Sequence, residues 1–183
     1  MKKIFLISVF LCVCLISASQ INIYFKSGLN LSRAVYADAA DEELVKPFRK
    51  LKPGFLGGFG MKNHFGEVLA MEIELLYSQK GLKLKQSAFG KTVNSMNYLV
   101  LPFSGHIRLF TSPYGSFYFY VGAYAAYWLY GNYKNKDLSS GTDQKVKVNF
   151  KDEEIRYNRF DTGPMGGIVL NDNKISFFVN YEH

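Results

Sequence analysis

The feature that most constrains this chain is a stretch, residues 97–109, in which apolar and polar residues alternate. Successive side chains of a β-strand point to opposite faces of the sheet, so a period of two indicates a strand with one apolar and one polar face. The stretch is longer than the usual strand of a soluble protein, which has about 5–6 residues. One face comprises Leu99, Leu101, Phe103, Ile107 and Leu109, interrupted by Gly105, and the other comprises Tyr98, Val100, Pro102, Ser104, His106 and Arg108.

The same alternation recurs along the chain and predicts seven strands joined by connections of unequal length. The connections at 63–66, 111–115 and 171–173 are short turns, whereas those at 33–52, 80–96 and 131–154 are long. Alternation of long and short connections is typical of outer-membrane barrels, which have short periplasmic turns and long external loops. The predicted strands are residues 20–32, 53–62, 67–79, 97–109, 116–130, 155–170 and 174–183.

The first 19 residues have the composition of an export signal. Two lysines precede an apolar run, residues 4–16, and small residues that suit cleavage before Gln20 follow it. About 13 apolar residues are too few for a membrane-spanning helix, and an N-terminal membrane anchor is the alternative. Both cysteines lie inside this run, so we expect the mature domain, residues 20–183, to contain no disulfide.

Long strands behind an export signal predict an all-β fold, an antiparallel up-and-down transmembrane β-barrel in the cell outer membrane. Aromatic residues make up 16% of the chain, which suits both membrane interfaces and the cores of β-sandwiches. A soluble barrel shares the period of two, and alternation alone does not say which face points inward. A soluble secreted ligand-binding barrel is therefore an alternative.

Four short segments carry a resemblance to a known family. They are KSGLNLS at 26–32, KPGF at 52–55, ELLYSQKG at 74–81, and NYL followed by LP at 97–102. In these segments the chain resembles the PorT-like, porin-type family of outer-membrane β-barrel proteins. The resemblance implies a small eight-stranded barrel. One namesake member is associated with secretion of surface proteins, and no catalytic residue follows from the resemblance.

If the apolar faces contact lipid, the opposite faces point into the barrel. Side chains can fill the interior of an eight-stranded barrel, and charges buried there must be paired. We therefore expect a salt-bridged polar plug in which carboxylates of the third, sixth and seventh strands pair with Arg108 and Lys26. For Arg108 the expected partner is Glu72 or Glu74, because the third and fourth strands are hairpin neighbours. A gated pore, or a proton-linked path through His106, is the alternative. The predicted lumen-facing polar residues are Lys26, Glu72, Glu74, His106, Arg108, Asp161 and Glu182.

Local spacing predicts that the protein is not an enzyme. Ser104 and His106 lie two residues apart on one strand, about 7 Å, which we expect to be too far for a nucleophile–base hydrogen bond. No Gly-rich phosphate loop or metal-ligand spacing is present, and the acidic segment 38–43 lacks the spacing of a calcium loop. We therefore expect no catalytic residue, no metal and no cofactor. The net charge of +7 is spread along the chain, so we expect no nucleic-acid partner.

The predicted function is that of a small integral outer-membrane barrel with a plugged polar interior and a structural or interaction role, which includes assistance to secretion. We expect it to contact outer-membrane lipid, and envelope or secretion proteins through its long loops. A small-solute transport barrel is the other alternative. Bacterial single-chain barrels have an even number of strands. We therefore expect an eighth strand to be missing, with a gap or strained seam between residues 21–31 and 174–183.

Overall fold

The computed structural model describes residues 21–32, 49–86, 90–136, 143–148, 158–172 and 175–182. The predicted export signal, residues 1–19, lies outside these ranges. Within them the chain forms strands, turns and short irregular stretches, and no helix is long and apolar enough to cross a membrane. The strands are β1 (Ile21–Ser32), β2 (Arg49–Lys50), β3 (Lys52–Phe65), β4 (Leu69–Gln86), β5 (Gly90–Ser112), β6 (Gly115–Lys136), β7 (Asp143–Lys147), β8 (Phe160–Asp172) and β9 (Ile175–Glu182).

The strands form one curled antiparallel sheet with the main order β1-β3-β4-β5-β6-β8-β9. Each neighbour in this path is the next long strand in the sequence, as predicted for an up-and-down barrel. Tight turns at 66–68 and 113–114 lie at one end of the sheet, which we call the turn end. At the opposite end, the far end, the short strands β2 and β7 extend the sheet by pairing with β4 and β6.

The two faces of the sheet differ as the alternation predicts. Apolar side chains cover the outside of the curl, where Ile23 is 74% exposed and Leu29 is 86% exposed. On β4, Ile73 is 39% exposed on the outer face, whereas Glu74 is 3% exposed on the inner face. The apolar face therefore points outward, as in a barrel that contacts lipid. The inner face is filled at its centre by Leu56, Leu76, Val100, Tyr118, Tyr120, Tyr124, Ala126, Met165 and Val169.

Two segments that were predicted as loops are largely strand. β4 continues to Gln86 and β5 begins at Gly90, so most of residues 80–96 form a hairpin. β6 continues to Lys136 and pairs with β7 inside the predicted loop 131–154. The sequence analysis did not find these extensions, because their outer-face positions carry lysines, whereas the outer-face positions in the membrane part of each strand carry apolar residues. A strand that extends beyond the bilayer does not need an apolar outer face.

β1 and β9 are the two ends of the main path, and no ladder joins them in the described residues. The curl nevertheless brings their side chains together, because the Phe178 ring packs on Gly28, where a Cβ atom would lie 2.8 Å from the ring. The successive ladders connect Ile21 of β1 with Tyr181 of β9. The contact between Gly28 and Phe178 lies seven residues further along β1 but three residues back along β9, so the two strands are shifted relative to each other. This offset along the strands is the stagger that the tilted strands of a barrel require.

Candidate functional site

Charged side chains gather on the inner face where β1 and β4 approach each other. The Glu74 carboxylate contacts Lys26 Nζ at 2.9 Å through Oε1 and at 3.0 Å through Oε2. Tyr24 donates its hydroxyl hydrogen to Oε1 at 2.8 Å. The Lys26 ammonium also lies 4.4 Å from the centre of the Phe178 ring. The buried carboxylate thus has both an opposite charge and a hydrogen-bond donor, which its desolvation requires.

A glycine on the intervening strand allows this contact. The register places Tyr24 opposite Gly60, and Gly60 opposite Glu74. A Cβ atom on Gly60 would lie 2.3 Å from the Tyr24 ring. Tyr24 therefore crosses over the glycine to reach a carboxylate two strands away, which is a close approach that only glycine permits.

A second group surrounds Glu72, nearer to the turn end. Lys62 lies directly opposite Glu72, with 3.4 Å between Nζ and Oε2, and His106 Nε2 is 3.5 Å from the same oxygen. The His106 ring is fully buried and stacks on the Tyr120 ring at a centroid distance of 4.8 Å. Together the two groups form what we call the central cluster, which consists of Tyr24, Lys26, Lys62, Glu72, Glu74, Ser104 and His106.

Ser104 and His106 are closer than the sequence predicted, since Ser104 Oγ and His106 Nε2 are 3.0 Å apart. The prediction was wrong because it used the spacing of the two residues along the strand, whereas the imidazole ring reaches back toward Ser104. Lys62 Nζ lies 3.1 Å from His106 Nδ1. An ammonium can only donate, so Nδ1 accepts and the ring proton lies on Nε2. Nε2 therefore faces Ser104 as a donor, which is not the arrangement that activates a serine nucleophile.

Arg108 pairs with neither Glu72 nor Glu74, so that prediction was also wrong. Its Nε donates to the Tyr118 hydroxyl at 3.1 Å, and its guanidinium lies 5.5 Å from the centre of that ring. Arg108 forms no ion pair with another described residue. Lys62 takes the predicted role because it lies directly opposite Glu72, whereas Arg108 lies further toward the turn end.

Toward the far end the interior opens into a cavity of about 920 Å³. Lys80 Nζ and Glu182 Oε2, both in its wall, form an ion pair at 2.6 Å. The Lys80 ammonium also lies 4.7 Å from the centre of the Tyr124 ring, and the Tyr124 hydroxyl donates to Asp161 at 3.4 Å. The interior therefore has two parts, a packed central cluster and a polar cavity beyond it.

The sequence family agrees with this architecture. Residues 17–183 match the profile of the outer membrane protein beta-barrel domain, which covers nearly the whole chain. The chain belongs to this outer-membrane β-barrel family. No curated protein and no solved structure gives a significant match. Family membership locates the protein in the outer membrane, in accordance with its exposed apolar face.

In this outer-membrane barrel domain the predicted lumen-facing residues fall in three places. The central cluster contains Lys26, Glu72, Glu74 and His106, and the structure joins them into two groups. Arg108 lies apart toward the turn end, against Tyr118. Asp161 and Glu182 line the cavity toward the far end.

Two lysines of the barrel interior were missed by the sequence analysis. Lys62 continues the inner-face alternation of Gly58 and Gly60, and Lys80 continues that of Glu74 and Ser78. Each lies at or just beyond the end of a predicted strand, where the alternation was not followed. The signal was therefore present in the spacing, and extending each strand by a few residues would have found both ion pairs.

Proposed function

We propose that this protein is a non-conducting outer-membrane barrel with a plugged interior and a structural or interaction role. The observation that carries the proposal is the burial of the central cluster. The paired side chains of Lys26 and Glu74 are 10% and 2% exposed, and those of Lys62 and Glu72 are 11% and 8% exposed. The charged walls of a water-filled pore stay hydrated, whereas low exposure with direct pairing is what a plug requires.

The interaction role is supported by the far end of the sheet. The connections that follow β1, β6 and β7 include residues 33–48, 137–142 and 149–157, and the first and third of these carry acidic runs, at 41–43 and 152–154. Long connections of outer-membrane barrels lie outside the cell. We propose that they contact envelope or secretion proteins. Assistance to secretion is the specific form of this role that the resemblance to the PorT-like, porin-type family favours.

The proposal includes no enzymatic step. Ser104 faces the protonated nitrogen of His106, which leaves it without a base. In the described part of the chain, no group of three or more His, Cys, Asp or Glu side chains could hold a metal ion. We likewise propose no cofactor and no nucleic-acid partner.

Single-channel recording of the refolded full-length chain in planar bilayers tests the plug. We expect no conductance steps from the wild type, and discrete steps from the double variant Lys26→Ala/Glu74→Ala. That variant removes both charges of one pair, so it leaves no unpaired buried charge. The matched control is Lys80→Ala/Glu182→Ala, which removes an ion pair from the cavity wall and should stay silent. Steps of similar size from the wild type would contradict the proposal.

The cavity supports a second candidate function, the binding and transport of a small solute. Its wall combines the charged groups of Lys80, Asp161 and Glu182 with the rings of Tyr98 and Tyr124. Such a mixture suits a small solute with both polar and apolar parts. Liposome swelling separates the two functions, because a transport barrel admits the solute and a plugged barrel does not.

The remaining alternative is a soluble ligand-binding barrel, whose apolar face would line an internal cavity. The outward exposure of Ile23, Leu29 and Phe25 argues against it. Extraction of cell envelopes tests this point. A membrane barrel stays in the pellet after a carbonate wash and is released by detergent, whereas a soluble barrel is released by the wash.

A further inference from the structure

Lysine dominates one face of the sheet at its far end, beyond the cavity. The ladders that join β2, β4, β5, β6 and β7 align residues in rows across this part of the sheet. We call two of these rows, together with Lys147, the lysine face. The first row is Lys50, Lys83, Val93, Lys134 and Lys145, and the second is Lys85, Lys91, Lys136 and Asp143.

The lysine face continues the outer, lipid-contacting face of the barrel. Lys83 lies six positions after Tyr77 along β4, and Lys134 lies four positions after Tyr130 along β6, so each lysine shares a face with its tyrosine. Tyr77 and Tyr130 lie on the outer face, and their hydroxyl oxygens are 3.1 Å apart. Amphipathic aromatic side chains of this kind mark the boundary between hydrocarbon and headgroups. The lysines therefore begin where the hydrocarbon ends.

Four lysines of this face have no carboxylate partner within the described structure. Lys50, Lys83, Lys134 and Lys147 form no ion pair with another described residue. Lys50 lies directly opposite Lys83, and like charges directly opposite each other destabilise a sheet. Asp143 is the one acidic residue in the two rows. A face with this composition is suited to a partner that carries several negative charges.

We propose that the lysine face binds the phosphate groups of glycolipids in the outer leaflet of the outer membrane. Lys134 lies four residues beyond Tyr130, on the order of 13 Å along the strand, which is the level of the headgroups. Flexible lysine stems let the ammonium groups reach phosphates at different depths, and basic residues near an anionic leaflet are attracted to it. Because the face points sideways into the surrounding leaflet, lipid is the partner that its position favours over a soluble polymer. The proposal is independent of whether the interior is plugged.

Glycolipid retention by the purified full-length protein tests this proposal. The protein in detergent is mixed with a bisphosphorylated lipid A-type glycolipid, and the phosphate that co-elutes in size-exclusion chromatography is measured. The test variant is Lys50→Gln/Lys83→Gln/Lys134→Gln/Lys147→Gln, and the matched control carries Arg at the same four positions. We expect the Gln variant to retain less glycolipid by at least about tenfold, the Arg variant to match the wild type, and high salt to weaken retention. The heat-dependent gel mobility of each variant checks that it is folded.

Three results would overturn the proposal. The first is equal retention by the Gln variant and the wild type. The second is equal retention of the same glycolipid after enzymatic removal of its phosphates. The third is tight binding of soluble inorganic polyphosphate without retention of the glycolipid, which would assign the face to a soluble polyanion.

Discussion

At the scale of single residues, two tyrosines of the inner face, the half-buried Tyr24 and the buried Tyr120, differ in the partners of their hydroxyl groups. Tyr24 donates to Glu74, whereas the Tyr120 hydroxyl has no hydrogen-bond partner among the described residues. A hydrogen bond to a charged group contributes about 1.5–3 kcal/mol to stability. We expect Tyr24→Phe to lower the free energy of unfolding by that amount, and Tyr120→Phe to leave it unchanged or to raise it. Urea unfolding in lipid vesicles, followed by the fluorescence of Trp128, measures both.

Each variant serves as the control for the other, because each removes one tyrosine hydroxyl from the inner face and keeps the aromatic ring. Phenylalanine at 120 retains the ring that stacks on His106. An equal loss of stability in both variants would show that the hydroxyl of Tyr120 is satisfied in the folded protein and that the contrast drawn from the structure is wrong.

The sequence predicted which face a residue occupies better than it predicted its partner. Glu72, Glu74 and His106 lie on the inner face because backbone pleating fixes the side of every second residue. Arg108 pairs with a tyrosine and not with a carboxylate, since pairing depends on the register between strands and on side-chain reach. Neither quantity is encoded in the alternation, which is why the contact between Ser104 and His106 was also missed.

At the scale of the strands, two glycines of β5 and β6 should respond in opposite ways to alanine. A Cβ atom on Gly122 would lie 2.1 Å from the backbone oxygen of Phe103, whereas a Cβ atom on Gly105 would meet nothing within 4 Å. We expect Gly122→Ala to cost about 1–3 kcal/mol through overpacking. We expect Gly105→Ala to stabilise the protein by about 0.4–1 kcal/mol, because it restricts the unfolded chain. The same urea titration measures the difference, and similar values for both variants would refute it.

Strand type and order could be predicted from the sequence, but strand ends could not. The stretch at 97–109 was recognised because its outer positions are apolar, while β5 in fact begins at Gly90. The added residues, which include Lys91, lie beyond the bilayer, where the outer face of a strand does not contact hydrocarbon and need not be apolar. The central strands were therefore predictable from the physics of lipid contact, and their extensions at the far end depend on pairing alone.

At the scale of the whole molecule, the outer face must be apolar only where it meets hydrocarbon. Ile73 lies on this face midway between Leu69, where β4 begins, and Tyr77, where the hydrocarbon ends, whereas Tyr114, which is 86% exposed, lies in a tight turn. Arginine on the lipid face costs about 2–4 kcal/mol at the midplane and about 0–1 kcal/mol near the interface. We expect Ile73→Arg to reduce the folded fraction in vesicles and Tyr114→Arg to leave it unchanged. Gel mobility of unheated samples measures that fraction, and a soluble barrel would tolerate both substitutions equally.

The hairpin order of the sheet has a consequence for how the molecule assembles. Every long strand pairs with its neighbour in sequence, so no pairing has to close more than a single connection, and each should form quickly. The backbone groups along the edges of β1 and β9 cannot face hydrocarbon at low cost, and curling turns these two edges toward each other. Curling and insertion must therefore occur together as one late step, and the thickness of the bilayer, more than the speed of hairpin formation, should set the rate at which this barrel folds.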